Sequence, residues 1–293
     1  MDLPLLIQVA SCRRDRAARE LSLLLESRGF QHRVAQGLDG CWEVLVEETE
    51  AAHAVAEIEA YRRENEAWTS RLAPHPQRPG AWLGSAWYGL LLMGFFAFQT
   101  DPNGAWRAGI SDAGAILGGE WWLAVTALFL HADILHLCGN LVFGAVFGFL
   151  VAPEIGSGPA WLAILVAGGL GNGVNAYLHA GIQGQEHRSL GASTGVFAAV
   201  GIMSAIEWMR RRDAGDSGWR RLAPPVFGLV LLGLYGMGGE RTDIGAHVFG
   251  FGTGALVGVL IAPVRTRLVG RVSNLAGWIA GVIVFLCSWL AWG

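Results

Sequence analysis

From Ala81 to Trp292 the chain is a succession of apolar stretches, each close to the length of a bilayer-crossing helix. A backbone in hydrocarbon must satisfy its own polar groups, so such stretches have to be helices. Seven are counted: about Ala81–Phe98, Asp133–Val151, Pro159–His179, Ala192–Met209, Ala223–Met237, Ile244–Val264 and Asn274–Trp292. Several are short for about 30 Å of hydrocarbon, which points to local thinning or shared aqueous cavities. Composition agrees: 53% of the 293 residues are apolar and 15% charged, too apolar for one ordinary soluble domain.

Arginine placement orients the bundle. Arg71, Arg78, Arg210, Arg211, Arg212, Arg220, Arg221, Arg265, Arg267 and Arg271 fall on the side of the N-terminal region. Arg107, Arg188 and Arg241 fall on the other. The positive-inside rule then gives a cytoplasmic N-terminus, and an odd number of spans gives an outward C-terminus. The expected location is a bacterial inner membrane. No basic run with interleaved aromatics suggests nucleic acid. Cys12, Cys41, Cys138 and Cys287 contain no Cys-x-x-Cys pair, so they give neither a zinc signature nor a disulfide framework. The first residues lack a basic n-region followed by an apolar h-region, and no cleavable signal peptide is expected.

Residues 1–73 read differently. Strand signals at Leu3–Val9, Phe30–Ala35 and Cys41–Val46 alternate with amphipathic helices over Arg13–Arg28 and Glu50–Trp68. Gly29 closes the first helix, and residues 36–40 make a turn between strands. The order β-α-β-β-α predicts a small soluble α+β domain of ferredoxin-like type. Its histidines, His32 and His53, read as solvated surface residues. Pro74, Pro76 and Pro79 predict a stiff linker over 74–80. The spans divide into a six-span core, 81–264, and an additional C-terminal span, 265–293. Between the first two spans, Gln99–Ala132 carries Trp106, Trp121 and Trp122. It is expected to lie at the membrane interface or to dip into it.

Polar groups within spans are costly, so each is a functional candidate. The fourth span opens Gly191-Ala-Ser193-Thr-Gly195. Two readings are open for Ser193. It caps or packs a helix, with the two glycines admitting a neighbour, or it is a nucleophile at a helix N-terminus that favours developing negative charge. The second reading needs a base at the same depth. His136 and Asn140 share a face of the second span, and His247 lies in the first turns of the sixth. Spans two, four and six run the same way, so the three sets of polar groups lie at one depth. Glycines at 250, 252, 254 and 258 let the sixth span approach another helix closely, with Gly191 and Gly195 expected as the facing surface. That contact would bring His247 to Ser193.

Ser193 in Gly-Ala-Ser-Thr-Gly, His247 in Ala-His-x-x-Gly, and His136-x-x-x-Asn140 after Phe-Leu-His131 together resemble the rhomboid intramembrane serine proteases. The likeness covers about Trp82–Val264, and the seventh span resembles the family's six-plus-one variant. The chain departs from the common pattern at Thr194, often glycine, and at Glu120-Trp121-Trp122-Leu123, where a Trp-Arg pair is common.

The resemblance implies a serine endopeptidase with a Ser193–His247 dyad, acting on transmembrane protein substrates in a lipid bilayer and needing no cofactor. Candidate oxyanion donors are the Ser193 amide, Asn140 and His136. His131, Phe197, Gly191 and Gly250 are candidate supporting residues. His131 would brace the long loop, and Phe197 either stacks near His247 or simply packs. Asp243 is expected to cap the sixth span. Three alternatives stand beside the protease: a metal enzyme on His131, Asp133 and His136, which lacks a His-Glu-x-x-His pattern; a transporter, for which no internal repeat is found; and a non-catalytic rhomboid-like factor that binds membrane proteins. Substrate identity and oligomeric state are not encoded in any readable motif.

Overall fold

A computed structural model describes residues 5–13, 15–37, 40–66, 76, 80–216, 218–235, 242–268 and 271–293. The linker expected over 74–80, apart from Pro76 and Gly80, lies outside the described residues, as do Leu38 and Asp39 of the predicted turn, Trp68, and Leu3 of the first predicted strand. The chain divides into two compact units, Met1–Ala73 and Pro74–Gly293.

The first unit runs β1 (Leu6–Cys12), α1 (Asp15–Ser27), β2 (His32–Gln36), β3 (Trp42–Glu47) and α2 (Ala51–Glu66). This is the β-α-β-β-α order read from the pattern. The strands form one antiparallel sheet in the order β1-β3-β2, with an irregularity in β1 between Gln8 and Ala10. β1 and β2 are therefore parallel and separated by β3, a split β-α-β arrangement. Alternation puts Val44 and Val46 of β3 on the face that packs against Leu21 and Leu25 of α1 and Ile58 of α2. Gly29 ends α1 at φ 83°. His32 is not the freely solvated residue expected. It is half-buried, with a ring nitrogen 2.6 Å from Ser22 Oγ, because β2 lies along α1. His53 is exposed, with its ring edge-on to Phe30.

The second unit is almost wholly helical. α3 (Ala81–Phe98) is followed by a long connection containing β4 (Ser111–Asp112), α4 (Ala113–Leu117) and α5 (Leu123–Thr126). Then come α6 (Ile134–Ile155), α7 (Ser157–Ala176), β5 (Arg188–Ser189), α8 (Ser193–Asp213), α9 (Trp219–Tyr235), α10 (Ile244–Ile261) and α11 (Arg271–Trp292). Five of the described helical segments are long and apolar enough to cross a membrane: Ala81–Phe98, Ile134–Ile155, Ser157–Ile182, Ile244–Arg265 and Val272–Trp292. Many large apolar side chains on them face outward, among them Trp87, Leu135, Leu260 and Trp278. In water such a surface would be untenable; against lipid it is the ordinary state. The protein is a multi-pass integral membrane protein. The fourth and fifth stretches counted in the sequence, now α8 and α9, are not among the five. α8 carries Arg210–Arg212 in its last turn, and α9 is described over only 17 residues, the predicted end of the fifth span at Met237 lying outside the described residues.

α8 is the buried centre. Its residues from Thr194 to Ile202 are all buried, and it packs against α6, α7, α9 and α10. In the long connection, Leu123–Leu130 are buried within the protein itself. They are held by polar contacts that replace lost water. Thr126 Oγ1 donates to the Gly109 oxygen at 2.8 Å, and Asn172 Nδ2 of α7 donates to the Ala124 oxygen at 2.8 Å. Trp121, by contrast, is exposed.

Candidate active site

Three helix N-termini meet at one end of the bundle. α6 begins after Asp133, whose carboxylate accepts from the His136 amide at 2.8 Å. α10 begins after Asp243, whose Oδ1 accepts from the Ala246 amide at 3.0 Å. The expected capping role of Asp243 is what the structure has. α8 is different. Its cap residue is Ala192, without a side-chain cap, and Ser193 is the first helical residue. Ser193 therefore stands inside the first turn and not at the cap position.

Ser193 Oγ instead lies 2.8 Å from His247 Nε2. The helices meet through backbone. A Cβ on Gly250 would collide with the Thr194 oxygen, one on Gly254 with Ala198, and one on Gly258 with Ile202. Three glycines four apart thus make a bare stripe on α10, and His247, one turn earlier on it, is carried to Ser193. The expected facing surface was wrong. Gly195 meets Gly168 of α7, and Gly191 lies against the ring of His136. The contact stripe of α8 is Thr194, Ala198 and Ile202, one position, or about 100°, round the helix from Gly195. Gly252 has nothing within 4 Å of where its Cβ would be and takes no part.

The departure at Thr194 is accommodated by its neighbours. The Thr194 side chain is buried, and its methyl carbon lies beside both Gly171 of α7 and Gly250 of α10. Two missing side chains make room for one extra methyl. Phe197, one turn along α8, has its ring centroid 4.8 Å from that of His247.

Asn140 is 6% exposed, and its Nδ2 has no hydrogen-bond partner among the described residues. Its backbone oxygen is held by Tyr88 Oη at 2.8 Å, which fixes α6 against α3. His131 is 1% exposed and is gripped at its backbone by Gln99, whose amide donates to the His131 oxygen and accepts from the His131 nitrogen, both at 2.8 Å. Its Nε2 lies 3.5 Å from the Ala192 amide, and its ring meets that of His136 edge-on at 5.1 Å. His131 thus braces both the long connection and the start of α8. Gly191 takes φ 135°, where a side chain would be strained, and its amide donates to the Ala127 oxygen at 2.9 Å. Beside Ser193, a cavity of about 1090 Å³ is lined in part by Leu128, Phe129, Ala192, Gly195 and Val196.

The approach to Ser193 is pinned by β4 and β5, which pair Ser111 with Ser189 and Asp112 with Arg188. Arg188 Nε lies 2.7 Å from Asp112 Oδ2. The Ala115 amide, then the Arg188 guanidinium, holds the Asp112 carboxyl below the usual carboxylate range. This pair was not singled out in the sequence, because its members are 76 residues apart. Nor was the cluster of His179, His187 and Asp243. There, burial pushes the Asp243 carboxyl up. Hydrogen bonds from Ala246 and His187, with the His187 charge, outweigh burial and hold it low.

The family model of the Rhomboid domain matches residues 118–264, which contain His131, His136, Asn140, Ser193 and His247 and leave out the groups of α3, β4 and α4. The chain is 28% identical over 166 residues to Rhomboid-like protein 11, chloroplastic, of Arabidopsis thaliana, covering 56% of this chain and 51% of that protein. It is 27% identical over 179 residues to RHOMBOID-like protein 7 of the same plant, covering 57% and 53%. It is 24% identical over 161 residues to Rhomboid protease GluP of Bacillus subtilis (strain 168), covering 55% and 29%. The chain thus spans about half the length of the plant relatives and under a third of GluP.

Proposed function

The chain belongs to the rhomboid family, and from that premise we propose that it is an intramembrane serine endopeptidase that cleaves transmembrane proteins with Ser193 and His247. The observation that carries this reading is the 2.8 Å separation of Ser193 Oγ and His247 Nε2. His247 takes the hydroxyl proton as Ser193 attacks the scissile carbonyl, then gives it to the leaving amine. The tetrahedral oxyanion is met by the Ser193 amide, which the first turn of α8 leaves without an intrahelical partner, and by Asn140 Nδ2. A buried amide without a partner costs about 1–3 kcal/mol, and a substrate oxygen would offset that cost during reaction. His136, packed on Gly191, supplies a further donor, and Phe197 fixes the His247 ring.

The finer architecture belongs to the same proposal. α8 and α9 complete seven spans, six in a catalytic core over 81–264 and one after it, and residues 1–73 form a ferredoxin-like accessory domain on the cytoplasmic side. Burial of α8 inside the bundle supports counting it, since a span shielded from lipid need not be uniformly apolar. The arginine asymmetry supports the orientation, in a bacterial inner membrane.

The test is cleavage of a model transmembrane substrate by purified protein. Ser193→Ala and His247→Ala are each expected to abolish cleavage while leaving the fold intact. Substantial cleavage by either folded variant would remove the dyad.

A further inference from the structure

We infer that His179, His187 and Asp243 form a binding site for a zinc-class divalent ion, adjacent to the proposed catalytic pair and distinct from it. The three residues come from three segments: the turn after α7, the approach to β5, and the cap of α10. Each offers one ligand atom, and the three atoms all lie within 4.8 Å of one another. His187 Nε2 is 2.7 Å from Asp243 Oδ2. The rings of His179 and His187 stack with centroids 3.9 Å apart and planes 11° from parallel.

Two imidazoles and a carboxylate are a donor set that zinc takes with a fourth position left to water. Donors about 2.0–2.1 Å from a tetrahedral ion stand roughly 3.3 Å apart. The His187–Asp243 pair would open slightly, the ion replacing the proton now shared between them. The widest separation, at most 4.8 Å, would close by up to roughly 1.5 Å, with His179 rotating out of its stack on His187 so that both in-plane lone pairs point at the ion. The site is sheltered but accessible: the side chains of His187 and Asp243 are 24% and 16% exposed.

The surroundings hold the ligands in place. Asn175 is 2% exposed, and its Nδ2 donates to Asp243 Oδ2 at 2.9 Å. The Ala246 amide holds the other carboxylate oxygen. Such outer partners are what orient a metal ligand. Residues Tyr177–Ile182, which carry His179, wind as a π-helix, a turn that recurs at functional sites. A simple hydrogen-bonded cap would account for His187 on Asp243, but it would have no need of His179.

The position gives the ion a consequence. His187 precedes Ser193 by six residues, and Asp243 precedes His247 by four. A bound ion would tie together the two segments that lead into the catalytic helices. It would raise the thermal midpoint of the folded state, which binds it, over the unfolded state, which does not.

The experiment is a titration of the full chain in detergent, carrying Ser193→Ala to prevent self-cleavage. ZnCl₂ is followed by calorimetry and thermal midpoint, and CoCl₂ by its visible absorption. One ion per chain and a rise in midpoint are expected. His179→Ala and His187→Gln should each weaken binding at least tenfold, while His136→Ala leaves it unchanged. Glutamine at 187 can still donate to Asp243, so it keeps the cap contact while losing the ring nitrogen. No zinc binding by the full chain, unchanged affinity in either the 179 or the 187 variant, or loss of binding in His136→Ala would overturn the site.

Discussion

The α-carbon of Gly250 in α10 lies against the peptide oxygen of Thr194 in α8, with no room for a methyl group between them. That contact sets the distance between the two helices, and so between His247 and Ser193. A side chain there must push backbone rather than a flexible side chain, and over-packing of this kind costs about 1–3 kcal/mol. Gly250→Val is expected to cut kcat at least tenfold and lower the thermal midpoint. Gly252→Ala, made where nothing lies within 4 Å, is the control and should leave both near wild type. Equal activity in the two variants would show that the interhelical contact does not govern the pair.

Asn140 gives a sharper test of the oxyanion site. Among the described residues its Nδ2 has no hydrogen bond to lose, so Asn140→Ala should leave the protein folded. Asn140→Ala is expected to lower kcat by about 10²–10³-fold, the usual loss for one such donor, with KM little changed. A loss confined to KM would assign Asn140 to substrate binding instead.

Asp112 links pH to the approach to Ser193. Its carboxylate caps α4 through the Ala115 amide and pairs with Arg188 of β5. Because its folded pKa is depressed, its contribution is present above the unfolded value and is lost as pH falls through the folded one. Asp112→Ala should cost about 1 kcal/mol at neutral pH, mostly through the lost cap, since the Arg188 side chain is 74% exposed and salt screens it. The midpoint difference between variant and wild type should narrow as pH falls below the ordinary carboxylate range. A difference independent of pH would exclude the charged form as the source.

Much of the design is legible in the sequence for definite physical reasons. Apolar runs longer than a soluble core needs announce spans, and the β-α-β-β-α order follows from a switch between periods of 2 and 3.6. Ser193, His247, His136 and Asn140 stand out because polar groups in apolar runs are expensive. What the sequence does not carry is rotation about a helix. Gly195 and Thr194 are neighbours in the chain, yet only Thr194 meets the glycine stripe of α10, while Gly195 lies against α7, and composition alone favours the glycine. Burial of the 123–131 segment was hidden for a similar reason: tryptophans suggest an interface, but the partners that bury the segment, such as Asn172, are distant in sequence. His131, Asp133 and His136 suggest a metal site in the sequence because they are close together. His179, His187 and Asp243 converge only once α7, β5 and α10 are placed.

The last prediction concerns residues 1–73, which form a compact unit with their own buried core of Leu21, Leu25, Val44, Val46 and Ile58. None of the groups proposed for catalysis lies in it, and a unit with its own core can fold alone. Deleting residues 1–78 is expected to leave cleavage of a model substrate in detergent within about threefold of the full chain, on the scale where a tenfold change marks 1.4 kcal/mol. In cells, a reporter fused to the N-terminus should sit on the cytoplasmic side, as the arginine count requires. A truncated core that stays folded but loses all activity would make the domain part of the catalytic machinery. An external reporter would invert the bundle and move the active-site end to the cytoplasmic face.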